Sequence, residues 1–304
     1  MAEPLAPWVQ RELATSLSNC RAVAGGCIHS AWALELDDGR RLFAKTNSAA
    51  ALPVLAAEAE GLRALAPLAD GELVVPAPLF CGLEQGRALL VMEWLELAPG
   101  GPQDRWRRLG AALARLHRRS LDQGQAQFGW NHDNFIGAGV QVNGWDSEWG
   151  RFFAERRLGP QLQRLQERNS NLAARLAAPI GQLLMRVPGW LDRHGARPSL
   201  VHGDLWSGNA SLLAGDRAAL FDPAVHWGDR EVDLAMARLF GGFPEPFFLG
   251  YGDEWPLPAG HEERATLYNL YHLLNHANLF GGGYGDQVER CARELLAVVP
   301  AAAA

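Results

Sequence analysis

The chain has 304 residues, with 48% hydrophobic and 20% charged side chains, and its 28 Lys and Arg face 34 Asp and Glu for a formal charge of −6. This is ordinary globular usage at a length that suits one large domain or two packed closely together, and it excludes disorder, collagen and coiled coil. The negative balance offers no broad footprint for a phosphate backbone, so nucleic acid is not an expected partner.

Taken in chain order, the start Met1-Ala2-Glu3-Pro4 lacks the basic and apolar segments of a secretory signal, and no apolar run is long enough to span a bilayer. A cytoplasmic protein without a membrane partner is expected. The first third reads as strands with one helix. Residues 31–36 and 41–45 flank Asp37-Asp38-Gly39, a hairpin signature in which Asp-Gly supplies the positive-φ turn, and Lys45 falls near the end of the second strand. After Pro53, Glu58, Leu62 and Leu65 recur at helical spacing, so Glu58 shares a face with Leu62 while Glu60 points elsewhere. Val75-Pro76-Ala77-Pro78 is a connector, and 87–93 reads as a buried strand running into the turn 98–102. A lobe of residues 1–95 is therefore expected, followed by one of residues 96–304.

The second part is mainly helical. Trp106, Leu109, Leu113 and Leu116 form one stripe that ends in the basic turn His117-Arg118-Arg119. A long helix from about Glu148 to Met185 is expected, interrupted at Gly159-Pro160. Short apolar runs at Leu200-Val201 and Leu220-Phe221 flank a turn and predict one small β element. A further helix over 264–279 closes at Gly281-Gly282-Gly283, and the terminal 300–304 reads as a frayed tail. The cysteines Cys20, Cys27, Cys81 and Cys291 are scattered, without a CxxC pair, and read as reduced thiols.

Chemistry concentrates in Val201-His202-Gly203-Asp204-Leu205-Trp206-Ser207-Gly208-Asn209 and in Leu220-Phe221-Asp222-Pro223. Phosphoryl transfer from ATP needs a carboxylate to take the acceptor's proton and oxygen ligands for magnesium, and Asp204, Asn209 and Asp222 supply that set in the order of a kinase catalytic loop. Each piece alone suits a turn or a cap. Jointly with Lys45 on a strand and Glu58 on the apolar face of the next helix, they favour a kinase.

On these residues the chain resembles the fructosamine kinase family, the ketosamine 3-kinases of the aminoglycoside-phosphotransferase-like group. The resemblance covers nearly the whole chain: Gly25-Gly26-Cys27-Ile28, Phe43-Ala44-Lys45-Thr46-Asn47, Glu58-Ala59-Glu60-Gly61-Leu62, Val91-Met92-Glu93, the run His202 to Asn209, Gly241-Gly242-Phe243-Pro244, and 268–280 with Leu274-Asn275-His276. It implies an α+β, bilobal, protein-kinase-like fold, with an antiparallel sheet plus helix before a larger helical lobe. It also implies ATP and Mg2+ as cofactors. Asp204 would be the base, Asn209 and Asp222 the magnesium ligands, and Lys45 with Glu58 the phosphate-positioning pair. Gly25 and Gly26 would lie at the phosphates, with Met92, Glu93 and Leu95 along the adenine. His202 and Asp233 would brace the loop by hydrogen bonds.

The phosphate-loop segment is not spelled G-x-G-x-x-G, and Asp222-Pro223 stands where protein kinases have Asp-Phe-Gly, so phosphorylation of Ser or Thr in proteins is disfavoured. On the substrate side, Trp206 beside the base, Trp145 in an Asn- and Trp-rich stretch with Trp149, and His276 are candidate contacts. His272 and His276 are spaced i, i+4, but no acid or third ligand accompanies them and zinc is not expected. Cys27, among phosphate-loop N–H groups, is a candidate oxidisable thiol. The family implies transfer to the 3-hydroxyl of a ketosamine, a free small molecule or a glycated protein lysine, in the service of deglycation, by a monomer or weak homodimer. The rivals are a kinase of an aminoglycoside, choline or homoserine, and a nucleotide-binding module without catalysis.

Overall fold

The computed structural model describes residues 5–23, 28–98 and 100–301. The N-terminal lobe runs α1 (Leu5–Leu13), β1 (Leu17–Val23), β2 (Ser30–Leu36), β3 (Arg41–Ser48), α2 (Leu52–Leu65), β4 (Leu73–Val74), β5 (Pro78–Glu84) and β6 (Arg87–Glu93). Five strands form an antiparallel sheet in the order β1-β2-β3-β6-β5. The turn between β2 and β3 holds Gly39 at φ 84°, where a side chain would be strained.

Alternation along the strands sorts the apolar residues into two layers. Leu34, Leu36, Leu42, Ala44, Leu89 and Val91 meet Leu5, Trp8 and Val9 of α1 on the outer face. Ala88, Leu90 and Met92 meet Leu55, Ala59 and Leu62 of α2 on the inner face. This part of the chain therefore has two α-helices where the sequence pattern predicts one. The stripe Leu5, Trp8, Val9 is only one turn long and Pro7 interrupts its reading, yet it suffices once a sheet is present to cover.

The rest of the chain runs α3 (Gln103–Leu121), β7 (Asn134–Ile136), β8 (Gly139–Gln141), α4 (Trp149–Phe152), a π-helical turn Phe153–Leu158, α5 (Gly159–Arg168), α6 (Ser170–Asp192), β9 (Ser199–Val201), β10 (Ala210–Leu212), β11 (Ala218–Leu220), β12 (His226–Gly228), α7 (Glu231–Leu239), α8 (Glu245–Glu254), α9 (His261–Phe280) and α10 (Tyr284–Val298).

Two expectations are corrected here. The helical stretch after Glu148 does not break at Gly159-Pro160: the π-helical turn Phe153–Leu158 passes directly into α5, which carries the helix past Pro160. The break is at Asn169, whose side chain accepts from Leu172 N at 3.1 Å and caps α6, and α6 continues past Met185 to Asp192. Nor do Leu200-Val201 and Leu220-Phe221 share one β element. β9 pairs with β12, whereas β11 pairs with β10 and, in parallel, with β4. Three-residue strands carry too little pattern to name their partners.

Helices α3 and α8 cross at closest approach on two glycines. A Cβ at Gly110 would overlap the Phe247 carbonyl, and one at Gly250 would overlap the Arg107 carbonyl. Helix α9 ends at Gly281, φ 65°. Among the described residues no helix is long and apolar enough to cross a membrane.

Candidate active site

Strand alternation puts Phe43, Lys45 and Asn47 on the face of β3 that looks toward α2. The ammonium of Lys45 donates to Glu58 Oε1 at 2.8 Å and to Asp222 Oδ1 at 2.5 Å. Lys45 and Glu58 are buried, whereas the Asp222 side chain keeps 31% exposure toward the cleft. Asp222 adopts φ 56°, the left-handed region that Asp tolerates better than most residues. The next residue explains how Glu58 and Asp222 reach one ammonium. A Cβ at Gly61 would lie 2.9 Å from Pro223 Cγ, so the glycine lets α2 rest directly on Pro223 and Val225. Burial opposes the charge on Lys45, but the two carboxylates outweigh it and hold its pKa above the usual value. Burial likewise pushes Glu58 up to about 7, against the pull of Lys45.

The loop between β9 and β10 is held from beneath. Asp233, in the first turn of α7, accepts from His202 N at 2.7 Å and from Gly203 N at 2.8 Å, and faces His117 Nε2 at 3.1 Å. Burial works against that carboxylate, yet the donors around it keep its pKa below the usual range. Gly203, φ 82°, has no room for a side chain because a Cβ would overlap the Ala224 carbonyl. His202 Nε2 donates to Phe221 O at 2.9 Å, which leaves Nδ1 to accept from Asp204 N at 3.3 Å. Burial keeps this imidazole neutral.

Asn209 Nδ2 donates to Asp204 O at 2.9 Å, to Asp204 Oδ2 at 3.2 Å and to Asp222 O at 3.4 Å. Its Oδ1 is left free of these bonds. Burial, and then the charge of Asp222, push the Asp204 carboxyl up to about 7, with the Asn209 bond pulling the other way. The indole of Trp206 folds over Gly208, where a Cβ would collide with it, and Ser207 fills the space over Gly242 in the same manner.

Lys45, Glu58, Asp204, Asn209 and Asp222 thus form one bonded cluster, with His202 and Asp233 beneath it. Met92 lies in the inner core. Glu93 N donates to Ala77 O at 3.1 Å, and Leu95 O accepts from Leu97 N at 3.1 Å. Gly25, Gly26 and Cys27 lie outside the described residues. Trp145 and His276 are not joined to the cluster by any hydrogen bond among the described residues. His276 donates from Nδ1 to His272 O at 2.8 Å and packs between Phe240, Phe280 and Tyr284. Trp149 is core rather than cleft.

Sequence reasoning missed Glu60, which accepts from Trp130 Nε1 at 2.9 Å and faces His132 Nε2 at 3.0 Å, tying α2 to the loop before β7. No spacing could show a contact 70 residues long in sequence.

The family model for fructosamine kinase matches residues 3–298. The chain belongs to the fructosamine kinase family. A protein of Synechocystis sp. designated a probable ketoamine kinase is 45% identical over 280 residues, which cover 91% of this chain and 90% of that one. A protein of Haemophilus somnus assigned as a fructosamine-3-kinase has a crystal structure that superposes with TM-score 0.83 at 27% identity, over 97% of this chain and 98% of that one. An aminoglycoside phosphotransferase solved with AMP-PNP and hygromycin B, TM-score 0.64 and 16% identity over 97% of each chain, shares the fold. The chain is accordingly an α+β, bilobal, kinase-like enzyme. It is an ATP-dependent small-molecule kinase, acting on ketosamines.

Proposed function

We propose that ATP binds between residues 1–95 and 96–304 and that its γ-phosphoryl group is transferred in line to O3 of a ketosamine. The observation that carries this reading is the single cluster in which Asp204 and Asp222 are bridged by Asn209 while Lys45 holds Asp222 and Glu58. Asp204 accepts the proton of the sugar hydroxyl as the new O–P bond forms and the bond from the β-phosphate oxygen to the γ-phosphorus breaks, releasing ADP. Lys45, kept straight by Glu58, neutralises the α- and β-phosphates. His202 and Asp233 hold the loop in position without reacting.

The free Asn209 Oδ1 and the cleft-facing Asp222 carboxylate are hard oxygen donors, a set that fits magnesium. Bound there, magnesium supplies charge neutralisation at the transferring phosphates. The adenine hangs from the Glu93 carbonyl and the Leu95 N–H, beside Met92. Trp206, 37% exposed beside the base, is the sugar-facing aromatic, with Trp145 and His276 farther out in the acceptor region.

Phosphorylation at O3 has a chemical consequence. After 1,2-enolisation the phosphate is expelled from C3, and the imine left at C1 hydrolyses to release the amine. The reaction therefore serves deglycation, of a free ketosamine or of a glycated lysine in a protein. The test is Mg-ATP-dependent phosphorylation of fructoselysine and ribuloselysine, with an aminoglycoside and choline in parallel and the product's phosphate position read by NMR. Selective turnover of a ketosamine with phosphorus on O3 is expected. Phosphate on another carbon, or turnover of only the other acceptors, overturns the proposal.

A further inference from the structure

The hairpin of β7 and β8 carries a chain of buried amides that the reaction scheme above does not use. Asn134, Gln141, Asn143 and Arg157 are each at most 4% exposed. Their orientations are fixed from both ends, because a backbone carbonyl only accepts and a guanidinium only donates. Asn134 Nδ2 donates to Val225 O at 2.7 Å, so its Oδ1 turns to accept from Gln141 Nε2 and from Asn143 Nδ2, both at 2.9 Å. Gln141 Nε2 also donates to Ala224 O at 2.9 Å, and its Oε1 accepts from the Tyr271 hydroxyl at 3.1 Å. At the far end Arg157 donates to Asn143 Oδ1 at 3.0 Å and to the Val142 carbonyl. This guanidinium has no carboxylate partner among the described residues, and burial pushes its pKa down to about 10. An enclosed cation without a counter-charge opposes folding, and here its donors serve the segment that follows β8.

The peptide that Gln141 grips is where the two halves of the candidate site touch. Ala224 N donates to the carbonyl of His202, two residues before Asp204, at 2.8 Å, and Ala224 itself lies two residues after Asp222. Its own carbonyl rests on Gly203, where a Cβ would overlap it. We propose that Gln141 is a positioning residue of this kinase: aimed by Tyr271 and Asn134, its amide pins the Ala224 peptide and so sets the spacing of Asp204 and Asp222. The proposal rests on the reading of those two residues as base and metal ligand. Asp222 holds φ 56°, a conformation that relaxes when released, and its charge opposes that of Asp204, so the pair needs a fixed donor close by. An apolar side chain at position 141 would fill the same space and leave the Ala224 carbonyl without this partner.

The experiment compares Gln141→Met, Tyr271→Phe and the double variant in the full chain, by steady-state kinetics and by calorimetric titration with AMP-PNP over a range of Mg2+ concentrations. Gln161→Met is the control for mere burial: that amide is equally enclosed and bonds Asn275 and Asn278, away from the 222–225 segment. Gln141→Met leaves a buried acceptor short of a donor, so kcat should fall about tenfold or more, with the ketosamine KM at the parent value. The Mg2+ concentration that half-saturates AMP-PNP binding should rise alongside. Tyr271→Phe keeps the donor but not its aim and should lose less, and the double variant should lose no more kcat than Gln141→Met, because Tyr271 acts through Gln141. Gln161→Met should lower the urea midpoint while kcat and the Mg2+ dependence stay parental. Parental kcat in folded Gln141→Met, an unchanged Mg2+ dependence, additive losses in the double variant, or the same catalytic loss in Gln161→Met each overturn the assignment. If Gln141→Met does not fold, Tyr271→Phe decides: a lower kcat at parental ketosamine KM supports the assignment and a parental kcat overturns it. A parent chain that binds no AMP-PNP overturns the kinase reading itself, and that result is distinct because it appears before any substitution.

Discussion

Two carboxylates share the ammonium of Lys45, Glu58 buried and Asp222 with 31% of its side chain exposed. On the reading proposed above, Asp222 is the one that exchanges the ammonium for magnesium. Asp204 stands outside this exchange, so Asp204→Asn should keep AMP-PNP binding in a calorimetric titration while kcat falls by about 10²- to 10⁴-fold, the usual contribution of a positioned base. Parental turnover in that variant would remove Asp204 from the role.

A second residue-scale prediction concerns His272, buried with its Nδ1 unpartnered among the described residues and pushed down to about 3 by burial and then by neighbouring His276. In the unfolded chain the same imidazole titrates near 6.5. The unfolded state therefore binds the extra proton between these values, and stability is full above pH 6.5 and is lost as the pH falls toward 3. From pH 7.5 to pH 5 this one residue should remove about 2 kcal/mol, so His272→Leu should show a smaller difference in urea midpoint between those pH values than the parent does.

That Lys45, Glu58, Asp204, Asn209 and Asp222 would come together was legible because phosphoryl transfer restricts which side chains can serve and in what order. Glu58 was recognisable as a carboxylate on an apolar helix face. Glu60, two positions on, gave no such signal because its partners come from another part of the chain.

At the scale of elements, periodicity located α2, α3 and α9 because each has a long apolar stripe, and Asp-Gly located the hairpin. It failed for α1, whose stripe is a single turn, and for β9 to β12, whose pairing is decided by tertiary placement. It also put the helix break at Pro160, since a proline is read as a breaker and the π-helical turn that carries the helix past it leaves no periodic signal. The glycine crossing of α3 and α8 was equally silent, because a glycine inside a helix reads only as a weakness. There the structure makes a sharp prediction. Gly110→Ala and Gly250→Ala should each lower stability by about 1–3 kcal/mol or more in urea unfolding, since each methyl meets main-chain carbonyl that cannot move alone. The double variant should fall short of the sum, because parting the helices once relieves both clashes. Full additivity would mean that the two sites relax independently.

On the scale of the molecule, the inner core is shared. Leu55, Leu62 and Met92 belong to the same buried cluster as Leu113, Leu205 and Leu220, and β4 extends the β10–β11 sheet. Tryptophan fluorescence and far-UV circular dichroism should therefore report one coincident urea transition. Two separated transitions would show that the lobes unfold independently. The shared core could not be read from the sequence, because long-range packing leaves no local pattern.

Helix α2 is fixed at both of its outward contacts, by Glu60 on Trp130 and His132 and by Gly61 on Pro223. For inhibitor design this matters more than the chemistry of the cleft. Compounds that win selectivity by trapping a swung-out regulatory helix need a resting state with that helix released, and here releasing it breaks a partly buried indole bond and uncovers Pro223. Selectivity against this enzyme has to be found in the nucleotide slot or the sugar site.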